Sequence, residues 1–260
     1  MNAEAADEFA LVGVREELYQ ELWARWPEPA REGHLSESPF VSLDELRASG
    51  ESYLSHLSSN TRSQVRRAVR LYGERFGEPE VRAACSSQEL YGWFDSMASL
   101  HAKRWHGRGK SGAFGDAKIR DFHLGLLKRV FHGQAKELRA EILRVSFGAE
   151  AIAYLYQLRY RGRVNFYQSG LAYHGDNRLK PGLVAHALAV EHYLTGGESE
   201  YDFLGGEPEA VRYKRSLATS RRMLAWIELP SPNAKMRVLR GARLAWRGIR
   251  SLLERRDHES

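Results

Sequence analysis

The sequence predicts an α/β fold in which a mixed, mostly antiparallel sheet is flanked by helices. Three β-rich runs, ELRAEILRVSF, AIAYLYQLRY and RVNFYQSG, follow one another with only short turns between them, which is typical of an antiparallel meander. Segments with apolar residues at helical spacing precede and follow these runs. A helix and a short apolar strand, YDFL, come after the third run, so the sheet continues and helices close over both of its faces.

The helices before the meander are marked by spacing and caps. Apolar residues at helical spacing predict a first helix over residues 12–26, followed by a loop through Glu37-Ser38-Pro39. Capping residues predict further helices that begin at Ser42, at Ser58, at Ser86 or Ser87, and near Asp116. The run VRAACS predicts a short strand between the second and third of these.

The sequence after the meander predicts one more helix, GLVAHALAVEHYL, and a last strand, RRMLAWIEL. A long amphipathic helix is expected from Lys235 onward. Residues 235–256 carry eight basic side chains and one acidic one, or +7, while the whole chain carries +6. The remainder is therefore close to neutral, and a general affinity for nucleic acid is not predicted.

The composition favours a soluble cytoplasmic protein that needs no metal. No basic start leads into an apolar run, and no stretch approaches the roughly 18 apolar residues that span a bilayer. Cys85 is the only cysteine, so the chain forms no internal disulfide. The histidines have no HExxH spacing, and we find neither a GxSxG motif nor a P-loop.

The segment from Val164 to Gly206 carries the strongest indication of a ligand site. A strand ends near Gly170, a polar loop follows, and Pro181-Gly182 starts a helix. The first amides of such a helix, beside Arg178 and Lys180, suit a phosphate group. A simple strand–loop–helix connection with solvated charges is the alternative.

The same segment resembles a known family. The run from RVNFYQSG to AVRYKRSL is similar to the carboxyl half of the GNAT-related acetyltransferases of the CelD (cellulose biosynthesis) type, which are related to the FemAB peptidyltransferases. Upstream, SSNTRSQVRRAVR and SLHAKRWHGRGKSGAF resemble the Arg-rich helix and the Leu-His…Arg-Trp…Gly segment of that family. Together the matches cover most of residues 37–229.

The resemblance implies a GNAT fold with acyl-CoA as co-substrate. The thioester arm is then expected along one strand and the phosphates at the start of the next helix. Carried over, the arm residues are Gln168, Ser169, Gly170 and Leu171, and the phosphate residues are Arg178, Lys180, Gly182 and Leu183. Pro181 stands where the usual phosphate-loop pattern has its first glycine, which is a departure from the family.

Acyl transfer needs a base, an acid and donors for an oxyanion. The catalytic candidates are Asp202, Lys214 and Tyr167, and residues that match the family's acceptor-side motifs are His101, Arg104, Trp105 and Tyr213. Each also has a structural interpretation. Asp202 suits a carboxylate that binds loop amides, Lys214 a surface lysine, Tyr167 a core tyrosine, and His101 a core histidine.

The resemblance divides the chain into three parts. Residues 1–57 form a helical segment that is a possible remnant of a first GNAT half, residues 58–230 the acyltransferase domain, and residues 231–260 a basic amphipathic helix. The implied function is transfer of an acyl group to an amine or hydroxyl of a cell-envelope or polysaccharide-related acceptor. An aminoacyl-tRNA donor, as in the FemAB relatives, and an inactive scaffold that binds an anionic surface remain alternatives.

Two basic surfaces accompany the expected site. The helix after Ser58 carries a stripe of arginines, and residues 235–256 carry a second. Both stripes suit solvated helix faces. The stripe on the terminal helix also suits the inner face of an anionic membrane. Nucleic acid is the least supported partner, because aromatic side chains do not alternate with the arginines.

Overall fold

The computed structural model describes residues 8–25, 32–107, 109, 112–134, 137–205 and 213–230. Within these residues the chain divides into two compact units. One takes in the residues up to Glu37 together with those from Met223 onward, and the other takes in Ser38–Arg222. The expected carboxyl-terminal helix at residues 231–260 lies outside the described residues.

Helices and strands are mixed along the chain. In order they are β1 (Glu8–Arg15), α1 (Glu16–Arg25), β2 (Glu32–Ser42), α2 (Leu43–Ser49), α3 (Ser59–Phe76), β3 (Pro79–Ala83), α4 (Ser87–His106), α5 (Ala117–Phe131), β4 (Leu138–Phe147), β5 (Glu150–Tyr160), β6 (Arg163–Leu171), α6 (Pro181–Leu194), β7 (Glu200–Asp202) and β8 (Ser220–Pro230). A 3₁₀ turn, Tyr53–His56, precedes α3.

The larger unit is built on a sheet with the strand order β2-β7-β6-β5-β4-β3. Strands β4, β5 and β6 form the predicted antiparallel meander, with tight turns at Gly148 and at Arg161-Gly162, where φ is positive. The β6–β7 pair is parallel, and the other pairs with a described register are antiparallel. The predicted class, a mostly antiparallel mixed sheet flanked by helices, is confirmed.

Alternate residues of the central strands bury opposite faces of this sheet. Leu143 and Val145 of β4 pack into a large cluster with side chains of α3 and α6. Ile142, which precedes Leu143, packs into a second cluster with side chains of α4 and α5. The sheet is therefore covered on both faces, which is why β4 and β5 consist mainly of apolar residues.

The predicted caps are present at four helix starts. The side chains of Ser42, Ser58, Ser86 and Asp116 accept hydrogen bonds from the first-turn amides of α2, α3, α4 and α5. Each bond satisfies a backbone donor that has no partner inside its helix. The start of α6 differs, because its N-cap residue, Lys180, has a left-handed conformation and makes no capping bond.

Two strands near the start of the chain were not indicated by the sequence. The prediction of a helix from residue 12 is wrong for its first residues, because β1 extends to Arg15 and α1 begins at Glu16. The predicted loop at residues 37–39 is also wrong, because β2 covers Glu32–Ser42. Strand β1 pairs with β8, more than 200 positions away, and β2 pairs with β7, about 160 positions away, and such partners are invisible in a local pattern. The proposed domain boundaries remain a prediction.

Replacing Gly170 with alanine is expected to destabilise the fold. A Cβ at this position in β6 would lie 2.4 Å from the carbonyl oxygen of Met97 in α4, and backbone atoms cannot yield as a side chain does. We expect the free energy of unfolding to fall by about 1–3 kcal/mol in a denaturant titration.

A matched control is Gly125→Ala in the interior of α5, where a Cβ meets no atom within 4 Å. This change is expected to raise the free energy of unfolding by roughly 0.5–1 kcal/mol, because alanine favours the helix. Equal effects of the two substitutions would contradict the close contact between β6 and α4.

Candidate active site: a gap between two parallel strands

Strands β6 and β7 separate soon after they pair. Their parallel register covers only Arg163–Asn165 and Glu200–Asp202. Beyond Asn165, the rest of β6 continues to Leu171 on β5 alone. Among the described residues, no strand therefore pairs with this edge of β6 beyond Asn165, and we call the opening beside it the gap.

The pairing of β6 with β5 tells which backbone groups face the gap. The amide of Ala172 donates to the carbonyl of Ile152 at 2.9 Å, so Ala172 faces β5. Because alternate residues of an antiparallel strand face the same neighbour, Ser169 and Leu171 turn their backbone groups toward the gap. These are two of the four residues predicted for the thioester arm.

The backbone amide and carbonyl of Ser169 already form hydrogen bonds with side chains. Its amide donates to Oε1 of Gln168 at 3.1 Å, and its carbonyl lies 3.1 Å from Nδ1 of His101. The amide of Ala113 donates to Nε2 of His101, so Nδ1 carries the proton and donates to Ser169. Burial lowers the pKa of His101, which is consistent with this neutral form. His101 thus connects α4 and the loop at Ala113 to the edge of the gap.

Gly170 allows α4 to pack closely on β6. Its missing Cβ allows the backbone of Met97 to lie directly on the strand. Its place along a thioester arm remains a prediction.

The first turn of α6 is covered. Pro181, Gly182 and Leu183 are buried, in contrast to the open amides that the sequence suggested. A Cβ at Gly182 would lie 2.9 Å from the hydroxyl of Tyr213 and 3.1 Å from Cδ1 of Leu171. The hydroxyl of Tyr213 and the last residue of β6 therefore occupy the space beside this turn.

The predicted phosphate-binding cations, Arg178 and Lys180, lie on the loop before α6. Arg178 binds Asp176 through Nε and Nη2, both at 2.9 Å, and Arg75 of α3 binds the same carboxylate at 2.5 Å. Hydrogen bonds from Arg178 hold the pKa of Asp176 well below its usual range. Lys180 is exposed. Three cations and one carboxylate leave this loop positive.

Two catalytic candidates hold the turn that forms the other side of the gap. Asp202 is buried, accepts from Ser38 at 2.6 Å and from the amide of Leu204 at 2.8 Å, and lies 3.5 Å from Arg222. Lys214 donates to the carbonyls of Leu204 and Gly205.

The turn they hold is strained. Leu204 has a φ of +55°, a conformation that costs energy for a residue with a side chain. Burial raises the pKa of Asp202, against the bonds from Ser38 and Leu204, and burial lowers the pKa of Lys214 to about 8. Both groups are engaged with protein partners, which agrees with the structural interpretation of Asp202.

Tyr167 lies at a β-bulge near the point where β6 and β7 separate. Tyr156 pairs with Gln168 and Gln157 with Phe166, so Tyr167 is the extra residue on β6. Its hydroxyl lies 2.9 Å from Nε2 of His123 in α5, and Nδ1 of His123 lies 3.4 Å from the hydroxyl of Tyr156.

This tyrosine–histidine pair connects a buried group to solvent. His123 is 4% exposed and Tyr167 is 37% exposed. Burial lowers the pKa of His123 and raises the pKa of Tyr167. At neutral pH the imidazole is therefore uncharged and able to accept a proton, and the phenol is protonated.

The predicted acceptor-side residues are brought close to the gap. The guanidinium of Arg104 lies 5.4 Å from the ring centroid of Tyr173. Burial and neighbouring tyrosines raise the pKa of Tyr213, and the charge of Arg104 opposes that rise. The ring of Trp105 lies 5.8 Å from that of His101. Within this group Arg104 is exposed, so it is the member that presents charge to solvent.

A family comparison agrees with this arrangement. A profile described as an acetyltransferase (GNAT) domain matches residues 59–215, which run from the first residue of α3 to Arg215. The chain belongs to the GNAT acetyltransferase family. It therefore has the domain of a transferase. No curated protein matches it.

Solved structures show the same fold at low sequence identity. FemX aligns over 86% of this chain and 72% of its own, with 11% identity and a TM-score of 0.56. L-PGS from Bacillus licheniformis aligns over 88% and 71%, with 11% identity and a TM-score of 0.54. A conserved protein of unknown function from Bacteroides thetaiotaomicron VPI-5482 aligns over 86% and 70%, with 10% identity and a TM-score of 0.55. Such identities establish the fold alone.

Two histidines of this GNAT domain were missed by sequence reasoning. His123 was read only as part of the helix that ends near Phe131. His186 of α6 is buried, and its Nδ1 lies 2.8 Å from the hydroxyl of Tyr201, which also accepts from Gln157. Burial lowers the pKa of His186 to about 3. No local motif marks either residue, because their partners are on other elements.

The part of the chain that the structure describes contains neither a group of metal ligands nor a membrane-spanning helix. There, no three His, Cys, Asp or Glu residues are grouped as metal ligands. Among the same residues, no helix combines the length and apolar character needed to cross a membrane.

Replacing Lys214 with methionine is expected to change how stability depends on pH. The pKa of Lys214 is about 8 in the folded chain and ordinarily 10.5, so the native state releases this proton first. The wild type should therefore gain up to about 3 kcal/mol of unfolding free energy as the pH rises from 8 to 10.5. The variant should lack this gain.

Chemical denaturation at several pH values measures the difference. Lys128→Met on the exposed surface of α5 is the matched control, and its curve should follow that of the wild type. Parallel curves for the wild type and Lys214→Met would show that the amine is not held as the structure places it.

Proposed function

We propose that this GNAT protein moves an acyl group from acyl-CoA to an amine or hydroxyl of a cell-envelope or polysaccharide-related acceptor, in the manner of the CelD-type enzymes. The observation that carries the proposal is the gap between β6 and β7, which opens beside the start of α6. We place the reaction in the cytoplasm, with residues 235–256 holding the protein at the inner face of the membrane.

Leu171 and the loop before α6 fit the donor. Leu171 faces the gap, whereas the backbone groups of Ser169 are held by Gln168 and His101. A pantetheine arm therefore pairs with Leu171, or displaces the side chain of Gln168 to reach Ser169. Arg178 and Lys180 supply the positive charge that phosphates need. Bound acyl-CoA supplies a thioester carbonyl for the acceptor to attack.

Tyr167 and His123 are the groups best placed to move the proton. When the acceptor nitrogen or oxygen bonds to the acyl carbon, it loses a proton and the carbon–sulfur bond breaks. Tyr167 takes the acceptor's proton as it passes its own to the neutral His123, and the reverse transfer protonates the leaving thiolate. The 2.9 Å contact supports this route, and the lowered pKa of His123 keeps its imidazole uncharged at neutral pH.

Arg104, Trp105 and Tyr213 are proposed to contact the acceptor, and the charge of Arg104 favours an anionic one. His101 is better described as a positioning residue, because both of its ring nitrogens are bonded to the backbone. Asp202 and Lys214 act in the same way through the turn at Leu204. Gly182 and Leu183 keep the first turn of α6 close to Leu171.

Acyl-CoA is expected to stabilise the full chain. At a hundred times its dissociation constant, a ligand raises the free energy of unfolding by about 2.7 kcal/mol, which is visible as a higher melting temperature. Lys180→Glu should reduce this shift, because it reverses a charge at the start of α6. Lys128→Glu, an equal charge change on exposed α5, should leave the shift intact.

The same measurement tests the rival donors. A folded wild type that shows no shift with acetyl-CoA or with longer acyl-CoAs contradicts acyl-CoA as donor. Activity that requires aminoacyl-tRNA then favours the FemAB-like alternative. Acyl-CoA affinity without turnover favours the inactive scaffold.

Replacing Tyr167 with phenylalanine is expected to lower kcat roughly 100-fold, as for the loss of a general acid–base group, with little change in the affinity for acyl-CoA. In the wild type, kcat should fall at acidic pH only below the ordinary pKa of histidine, because burial lowers the pKa of His123. His123→Gln should remove that acidic limb. Variants that keep the wild-type kcat and pH profile would exclude the pair from proton transfer.

A further inference from the structure

The outward face of α3 contains an open cleft that, among the described residues, is lined only by arginines and serines. Two rows of side chains spaced four residues apart form it, Arg62, Arg66 and Arg70 in one row and Ser59, Ser63 and Arg67 in the other. The cleft has a volume of about 380 Å³. At a rise of 1.5 Å per residue, each row extends about 12 Å along the helix.

The arginines of this cleft are only partly neutralised. Arg70 pairs with Glu74 at 2.8 Å, and Arg62 donates to the carbonyl of Ser55 at 3.2 Å. Among the described residues, no carboxylate lies within ion-pair distance of Arg66 or Arg67. Like charges four residues apart destabilise a helix by roughly 0.2–0.5 kcal/mol per pair, so a ligand that neutralises them would stabilise α3.

The arginines and serines that line the cleft are side chains suited to binding phosphate. Guanidinium groups bind phosphate oxygens in pairs, and the hydroxyls of Ser59 and Ser63 add donors between them. A diphosphate group brings two to three negative charges, which four arginines and one glutamate can balance. The volume is also that of a small-molecule site rather than of an extended interface.

Other anionic partners fit less well. The apolar side of α3, with Val65, Ala68 and Tyr72, is buried in the core, so the helix has no face left to insert into a bilayer. None of the described residues that line the cleft is aromatic, so none can stack on an unpaired base. The cleft also contains none of the residues assigned to the donor.

We propose that the cleft on α3 is a binding site for a small ligand that carries a diphosphate group, either inorganic pyrophosphate or a nucleoside diphosphate. The site is separate from the gap between β6 and β7. It therefore stands whether or not acyl-CoA is the donor.

Calorimetric titration of the full chain with inorganic pyrophosphate and with a nucleoside diphosphate tests the proposal. We expect saturable binding at one site, at least tenfold weaker in Arg66→Ala and weaker still in Arg66→Ala/Arg67→Ala. Arg129→Ala on the exposed surface of α5 is the matched control and should bind as the wild type does. Circular dichroism confirms that each variant is folded.

The pattern of affinities separates the sources and the rival sites. Tighter binding of the nucleoside diphosphate identifies a nucleotide ligand, and equal binding identifies the diphosphate alone. Loss of pyrophosphate affinity in Lys180→Glu equal to that in Arg66→Ala would assign the binding to the donor site and overturn a separate one. Loss of affinity in Arg129→Ala equal to that in Arg66→Ala, or binding of duplex RNA without binding of pyrophosphate, would also overturn the proposal.

Discussion

The packing of α4 on the bare backbone of β6 is the contact on which the candidate site depends. Gly170 has no side chain, so Met97 of α4 lies against the strand itself, and His101, one turn further along, donates to Ser169. These two contacts hold the edge of β6 in place where β7 no longer supports it. An unpaired strand edge is otherwise free to move or to pair elsewhere.

The opposite side of the gap is held by charge. Asp202 binds the amide of Leu204, and Lys214 binds its carbonyl, so a residue in a strained conformation is held from both ends. Burial lowers the pKa of Lys214 and raises the pKa of Asp202, because a charged amine or carboxylate loses free energy of hydration when it is buried. Strain that is retained in this way is characteristic of positions where geometry matters for function.

Tyr167 and His123 lie near this gap, and their contact depends on the sheet rather than on a sequence motif. Val164 and Phe166 of β6 pack into the cluster with α3 and α6, so the alternation of the strand places Tyr167 on the opposite face. There its hydroxyl meets His123 of α5. The tyrosine–histidine pair therefore arises from the alternation of one strand and the packing of one helix on the sheet.

The sequence by itself determined the meander β4–β5–β6, the helix that begins at Pro181 and the four capped helices, because turns, caps and periodicity act over a few residues. It also indicated the segment that borders the gap. It did not reveal β1 or β2, whose partners are distant along the chain, nor His123, whose importance comes from Tyr167 of another element. Only the tertiary structure decided that Gly170 admits a helix, that Tyr213 covers the start of α6, and that Asp202 and Lys214 hold a turn. Those roles depend on contacts between elements, and local sequence patterns carry no information about them.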